Sequence, residues 1–227
     1  MIKHRLFLAA PDGVARNAFR TRVLAEVGPA ALAASPGLRA LSVDLVDATP
    51  AVPPWQRPGE VPAAGEPEFD AVLDMWGEAR AVDDALAAVA PRVAGAPCVS
   101  VRVSETVEKD ELPRPVGRVA GVKFLSLMTF RADLPEAAAR RLWAHHAGLA
   151  LRVHVGMARY VRDWVETGFD AVPGFQGIAE LHFPSVEAMM RRWFDSEAGR
   201  AAIVHDVGHF LERATRLYAT EHVVKGG

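Results

Sequence analysis

The chain has 227 residues, 50% hydrophobic and 24% charged, enough to bury a sizeable core as one large domain or as two of about 100 residues. A formal net charge of −2 supplies no basic field, so neither nucleic acid nor an anionic membrane is expected as a partner. The single cysteine, Cys98, excludes an intrachain disulfide; in the run Cys98-Val99-Ser100-Val101 it reads as a buried, inert thiol.

Lys3 and Arg5 precede a short apolar run that Pro11 and Asp12 end. It is shorter than the ~7–15 apolar residues of a secretory signal. No stretch approaches the ~20 apolar residues of a membrane span, and a cytoplasmic location is the expectation.

In chain order, residues 3–9 read as a strand, 14–34 as a helix and 37–46 as a second strand. Residues 48–68 form a proline-rich arm with Pro50, Pro53, Pro54, Pro58, Pro62 and Pro67. Proline fixes φ and removes amide donors, so this segment is loop. Residues 69–76 are a third strand, 79–94 a helix and 98–107 a fourth strand. Pro113, Pro115 and Gly117 mark a linker at mid-chain. Residues 122–130 open the second half as a strand. Asp133 as N-cap, with Pro135 and Glu136, starts a helix to about Arg152, and Leu142, His145, His146 and Leu149 share its apolar face. Strands follow at 156–164 and 178–183. Ser185 caps a helix at 186–194, Asp195 or Ser196 caps another to about Arg213, and 216–224 is the last strand.

The order β-α-β-β-α-β occurs twice, which is the ferredoxin-like arrangement. Ser104-Glu105-Thr106-Val107 and Thr220-Glu221-His222-Val223 echo one another at the ends of the halves. Phe69-Asp70-Ala71-Val72 and Phe169-Asp170-Ala171-Val172 are identical but fall in a strand and a loop, so the third strands align as 69–76 with 175–183. The expected fold is α+β: two tandem ferredoxin-like halves, residues 1–110 with the arm at 48–68 and residues 118–227, forming an α/β barrel that hides their sheet edges. A homodimer of such chains is also plausible.

Three stretches resemble the EthD family of dimeric α/β-barrel proteins: Leu142-Trp143-Ala144-His145-His146-Ala147-Gly148-Leu149; Gly156-Met157-Ala158-Arg159-Tyr160-Val161; and Gly177-Ile178-Ala179-Glu180-Leu181-His182-Phe183 with Thr220-Glu221-His222. Gly148 stands where the family usually has Pro. Trp143 is one residue nearer to His146 than usual, so His145 or His146 can occupy the family's histidine position; the following Ala-Gly-Leu favours His146. The resemblance implies the barrel fold and a place among cyclases, dehydratases, decarboxylases, isomerases and cofactor-free oxygenases, which act on aromatic or polyketide-like compounds. A shared fold does not fix the reaction.

The candidate catalytic residues are His146, Tyr160, Glu180 and His182. An imidazole moves protons near neutral pH, and a pocket phenol can donate to a developing oxyanion. Alternation puts Glu180 and His182 with Ile178 on one strand face, about 7 Å apart, turned to the barrel interior or to solvent; Ala179, Leu181 and Phe183 pack under helices. The candidate substrate-binding residues are His145, Trp143, His222 and Trp55. Of Glu221 and His222 only one can point inward, and Trp55 would dock from the proline arm. His205 and His209 stand at i, i+4, a spacing that can hold a metal, but Asp206 replaces the Glu of His-Glu-x-x-His and Gly208 weakens the helix.

No dinucleotide glycine motif, P-loop, nucleophile elbow or C-x-x-C is present. What the resemblance implies, and the expectation, is an enzyme without metal or cofactor, a lyase, cyclase or isomerase working by acid–base chemistry on a small aromatic or polyketide-like substrate. The rival readings are a non-catalytic binding or accessory protein of the same family and a metalloenzyme built on His205 and His209.

Overall fold

Nine strands and six α-helices are present in the computed structural model, which describes residues 1–49, 68–166 and 174–227. The N-terminal half runs β1 (Ile2–Leu8), α1 (Arg16–Arg22), a π-helical turn (Val23–Val27), α2 (Gly28–Ala34), β2 (Ala40–Asp47), β3 (Ala71–Gly77), α3 (Ala79–Val89) and β4 (Cys98–Asp110). A two-residue strand, β5 (Gly117–Arg118), lies in the linker. The C-terminal half runs β6 (Val122–Phe130), α4 (Glu136–Val153), β7 (Arg159–Val165), β8 (Gly177–Phe183), α5 (Val186–Arg192), α6 (Glu197–Val207) and β9 (Leu211–Lys225).

Each half has the ferredoxin-like strand order, β2-β3-β1-β4 and β7-β8-β6-β9. Antiparallel pairing of β4 with β7 and of β2 with β9 joins the halves into a closed eight-stranded barrel, and β5 adds to β9 outside the ring. Closure removes the exposed edges that two open sheets would carry. Apart from β4 and the start of β9, the strands of the ring then have two buried faces, one toward the barrel interior and one toward the helices, and this explains near-continuous apolar runs such as that of β6.

Three clusters fill the molecule. Phe19, Val23, Val27, Leu41, Leu73 and Val82 pack the helices of the first half onto its sheet. Phe124, Trp143, Ala147, Leu181, Phe183 and Trp193 do so in the second. Phe7, Val72, Val101, Leu125, Ile178 and Leu217 occupy the barrel interior. Among the described residues no helix is long and apolar enough to cross a membrane.

Several local expectations are corrected. The first helix is interrupted by the π-helical turn just before Pro29, whose missing amide cannot continue the ordinary ladder. Asp133 does not cap α4: its carboxylate is taken by Arg131 Nε and Nη2, at 2.9 and 2.6 Å, and the helix starts after Pro135. Ser185 and Ser196 do cap α5 and α6 through the amides of Ala188 and Gly199. α6 stops at Val207, before Gly208, and β9 begins at Leu211 rather than 216 because Leu211 to Thr215 already pair with β6. Cys98 is exposed: it shares the outer face of β4 with Ser100 and Arg102, beyond the helical cover. The proline residues of the arm, Trp55 and Phe169 to Val172 lie outside the described residues.

Gly121, which leads into β6, has φ +92°, and a Cβ there would lie 2.0 Å from the carbonyl oxygen of Phe183 at the end of β8. Both backbone conformation and space exclude a side chain. Gly121→Ala is expected to destabilise the protein by about 2–4 kcal/mol, read from urea unfolding midpoints.

Candidate active site

The inward faces of the strands carry an ionic layer at one end of the barrel. Lys3 Nζ lies 2.8, 2.7 and 2.6 Å from Glu105, Asp163 and Glu180. Arg5 binds Asp74 through two parallel bonds of 2.8 Å and reaches Asp163 at 2.8 Å and Glu180 at 3.1 Å. Lys123 Nζ lies 2.7 Å from Asp44, 2.9 Å from Glu180, 3.2 Å from Asp74 and 3.4 Å from Glu221. Strand register places Lys3 and Lys123, Asp44 and Asp163, and Asp74 and Glu180 at corresponding positions of the two halves. Glu105, Asp163 and Glu180 are close enough to surround a cation, and the Lys3 ammonium occupies that place.

Glu180 and His182 belong to this layer. Both are buried, which overturns the view of a solvated strand face. His182 stands 3.5 Å from Glu180 and 3.4 Å from Arg159, and burial pushes its pKa down to about 4. Glu180 is held well below the carboxylate range: Arg5, Lys123 and Lys3 together outweigh the cost of its burial. Glu221, not His222, points inward; His222 sits half-buried on the outer side of β9 opposite Val43 and Arg118.

His146, Tyr160 and Trp143 lie on the other side of the sheet. They line a cavity of about 500 Å³ between the second-half sheet and helices α4 and α6. Phe124, Trp193, Phe194 and Phe210 form much of its wall. The four candidate catalytic residues do not share one site: the barrel wall separates His146 and Tyr160 from Glu180 and His182. His145 does not share the buried stripe of α4, which runs Ala139, Trp143, His146, Ala147, Ala150 and Val153, and its side chain is exposed.

His146 is held by a bond of 2.7 Å from its Nδ1 to Asp206 Oδ2 on α6, and its ring packs against Phe210 at 5.3 Å. An ionised carboxylate only accepts, so Nδ1 carries the proton and Nε2 keeps its lone pair. Burial lowers the His146 pKa, against the pull of Asp206, which raises it. Tyr160 is buried beside Trp143, and burial pushes its phenol upward, keeping it protonated as a donor. His205 and His209 are exposed, with Nε2 atoms 3.3 Å apart, and form no group of three metal-binding side chains among the described residues.

Four polar contributors escaped the sequence: Ser126, on the outer face of β6, Arg216 of β9 and His154, just past the end of α4, line the cavity, and Asp206, read only as a substitute in a zinc pattern, anchors His146. A second recess, about 490 Å³, opens at the barrel mouth beside Trp76 and Arg114. Arg114 is committed to Glu221 at 2.7 and 3.0 Å, which leaves the aromatic cavity as the better reaction site.

The ionic layer carries its own pH signature. Burial raises Asp44 and Asp163 to about 7, because their neighbouring cations are shared with other carboxylates. A carboxyl raised above its unfolded value of about 3.9 contributes stability that is complete below that value and is lost as pH rises through 7. Asp44 Oδ2 is 2.7 Å from Lys123 but makes no hydrogen bond to it. Asp44→Asn is therefore expected to lose less stability than wild type between pH 5 and pH 8.5, measured as the difference between their urea unfolding free energies at the two pH values.

Comparison with known proteins adds the following. No curated protein matches the chain. The fold resembles that of an anthrone oxidase-like protein (TM-score 0.63, 10% identity, 98% of this chain and 93% of that one). It also resembles a candidate monooxygenase from Lactobacillus acidophilus NCFM (0.56, 11%, 100% and 96%). A third similar structure is the chlorite dismutase of Candidatus Nitrospira defluvii in complex with imidazole (0.53, 12%, 97% and 90%). At such identities the likeness is one of fold. Residues 131–214 match the sequence pattern of the EthD domain, a span that includes His146, Tyr160, His154 and Asp206. It is thus in its C-terminal half that the chain is similar to the EthD domain.

Proposed function

We propose that this protein is a small-molecule enzyme whose active site is the aromatic cavity of the C-terminal half, with His146 as general base and Asp206 as the residue that positions it. The observation that carries this reading is the Nδ1–Asp206 bond of an otherwise buried imidazole on the wall of that cavity. The substrate is a small aromatic or polyketide-like compound with an acidic C–H or O–H group, and the reaction is of the lyase, cyclase or isomerase kind. The fold shared with an anthrone oxidase-like protein supports an aromatic ligand.

His146 Nε2 takes the substrate proton, and Asp206 stabilises the imidazolium that forms. Tyr160, protonated and facing the same cavity, donates to the oxyanion of the resulting enolate. Return of the proton to another position completes an isomerisation; transfer to a departing hydroxyl completes a dehydration. Trp143 and Trp193 flank the ring system and exclude water. Glu180 and His182 have no part in these steps; they hold the barrel.

The test is exchange of the methylene protons of anthrone and of other enolisable aromatic ketones into D2O, followed by NMR. Wild-type protein is expected to accelerate exchange, and His146→Ala to reduce the acceleration about 100-fold or more. Asp206→Asn removes the group that holds the His146 pKa up, so the acid limb of its pH–rate profile moves to lower pH; the wild-type limb itself lies below 6.5. Equal exchange by the His146→Ala variant, or no acceleration across the panel, overturns the assignment.

The same geometry favours one second reading. A carboxylate on Nδ1 with Nε2 toward open volume is also how imidazoles are held as metal ligands. Metal in stoichiometric amount in protein purified without chelator, lost in His146→Ala, would support a metal-bearing group at Nε2.

A further inference from the structure

We propose that His154 is a specificity-determining residue of the aromatic cavity, and that with His146 it selects ligands bearing two hydroxyl donors on an aromatic frame. This rests on the reading of the cavity as the active site and adds the polarity of what it accepts.

His154 caps the C-terminal end of α4. Its Nδ1 lies 2.6 Å from the backbone carbonyl of Trp193, and its ring sits between Trp193 and Phe194, with centroids 5.4 and 5.5 Å away. A carbonyl oxygen can only accept, so Nδ1 must carry the proton. The ring is buried, with burial pushing its pKa down to about 4, and it is neutral at physiological pH. The tautomer is therefore fixed, and Nε2 presents a lone pair.

That lone pair has no hydrogen-bond partner among the described residues, and the ring lines the cavity. His146 repeats the arrangement from a different anchor: Asp206 fixes Nδ1–H and leaves Nε2 as an acceptor. One cavity of about 500 Å³ with largely aromatic walls thus presents two acceptor nitrogens, both unable to donate. Buried acceptors without donors cost free energy, so a ligand that displaces water must supply two donors of its own. Phenolic or enolic hydroxyls do so; ethers and carbonyls leave both nitrogens unpaired. Sites built around such bonds reject analogues lacking the hydroxyl much more strongly than sites that merely fit a shape.

The experiment is equilibrium binding of naphthalene-2,7-diol, 2-naphthol, 2,7-dimethoxynaphthalene and naphthalene, followed by quenching of tryptophan fluorescence. Wild-type protein is expected to bind the diol about tenfold more tightly than the dimethoxy compound or naphthalene, with 2-naphthol between them. His154→Asn keeps a donor near the Trp193 carbonyl and removes Nε2; it is expected to bind the diol no better than 2-naphthol, with naphthalene affinity within about twofold of wild type. A thermal melt checks that the variant is folded, and the wild-type series stands alone if it is not. Equal wild-type affinity for diol, ether and naphthalene overturns the donor requirement while leaving the cavity as a binding site. An unchanged diol preference in His154→Asn overturns the role of His154. Failure of all four compounds to bind overturns this proposal together with the cavity reading.

Discussion

Closure of the barrel is the constraint from which the rest of the structure follows. Once β4 pairs with β7 and β2 with β9, no strand of the ring has a free edge, and all but β4 and the start of β9 bury both faces. The inner face can be filled by apolar side chains or by mutually neutralising charges, and this protein uses both, at opposite ends of the lumen. The outer face must meet helices. A cavity can then persist where large aromatic rings on α4, on the segment after α5 and on the turn after α6 hold the helices away from the sheet, as Trp143, Trp193 and Phe210 do.

The two faces divide the chemistry. On the inner face Lys3, Arg5 and Lys123 lock carboxylates into pairs, an arrangement suited to register and rigidity. On the outer face His146 and His154 each spend one nitrogen on a fixed partner and keep the other for the cavity. A buried histidine with a depressed pKa occurs on both sides of the sheet. His146 lines the aromatic cavity, whereas His182 is enclosed among Arg159 and Glu180.

The strand order, the alignment of 69–76 with 175–183 and the outward packing of Ala179, Leu181 and Phe183 were legible because alternation and turn residues write them locally. So was His146, through the stretch that resembles the EthD family. The ionic layer was not legible, because Lys3 and Asp163 are 160 positions apart and nothing in either segment refers to the other. Asp206 was misjudged for a related reason: its neighbours His205 and His209 suggest a metal pattern along the helix, whereas its partner lies on another helix. The alternation of Glu180 and His182 was read correctly, but sequence cannot say whether a polar strand face is wet or enclosed.

The interdigitation of the ionic layer bears on how the molecule comes apart. Lys123, from the second half, neutralises Asp44 and Asp74 of the first, and Lys3 and Arg5, from the first, neutralise Asp163 and Glu180 of the second. Each inner-face cation thus binds carboxylates of both halves. An isolated half would keep only part of these contacts and would open its ionic layer to water. The two ferredoxin-like units are thus complements: separating them breaks contacts of all three cations at once.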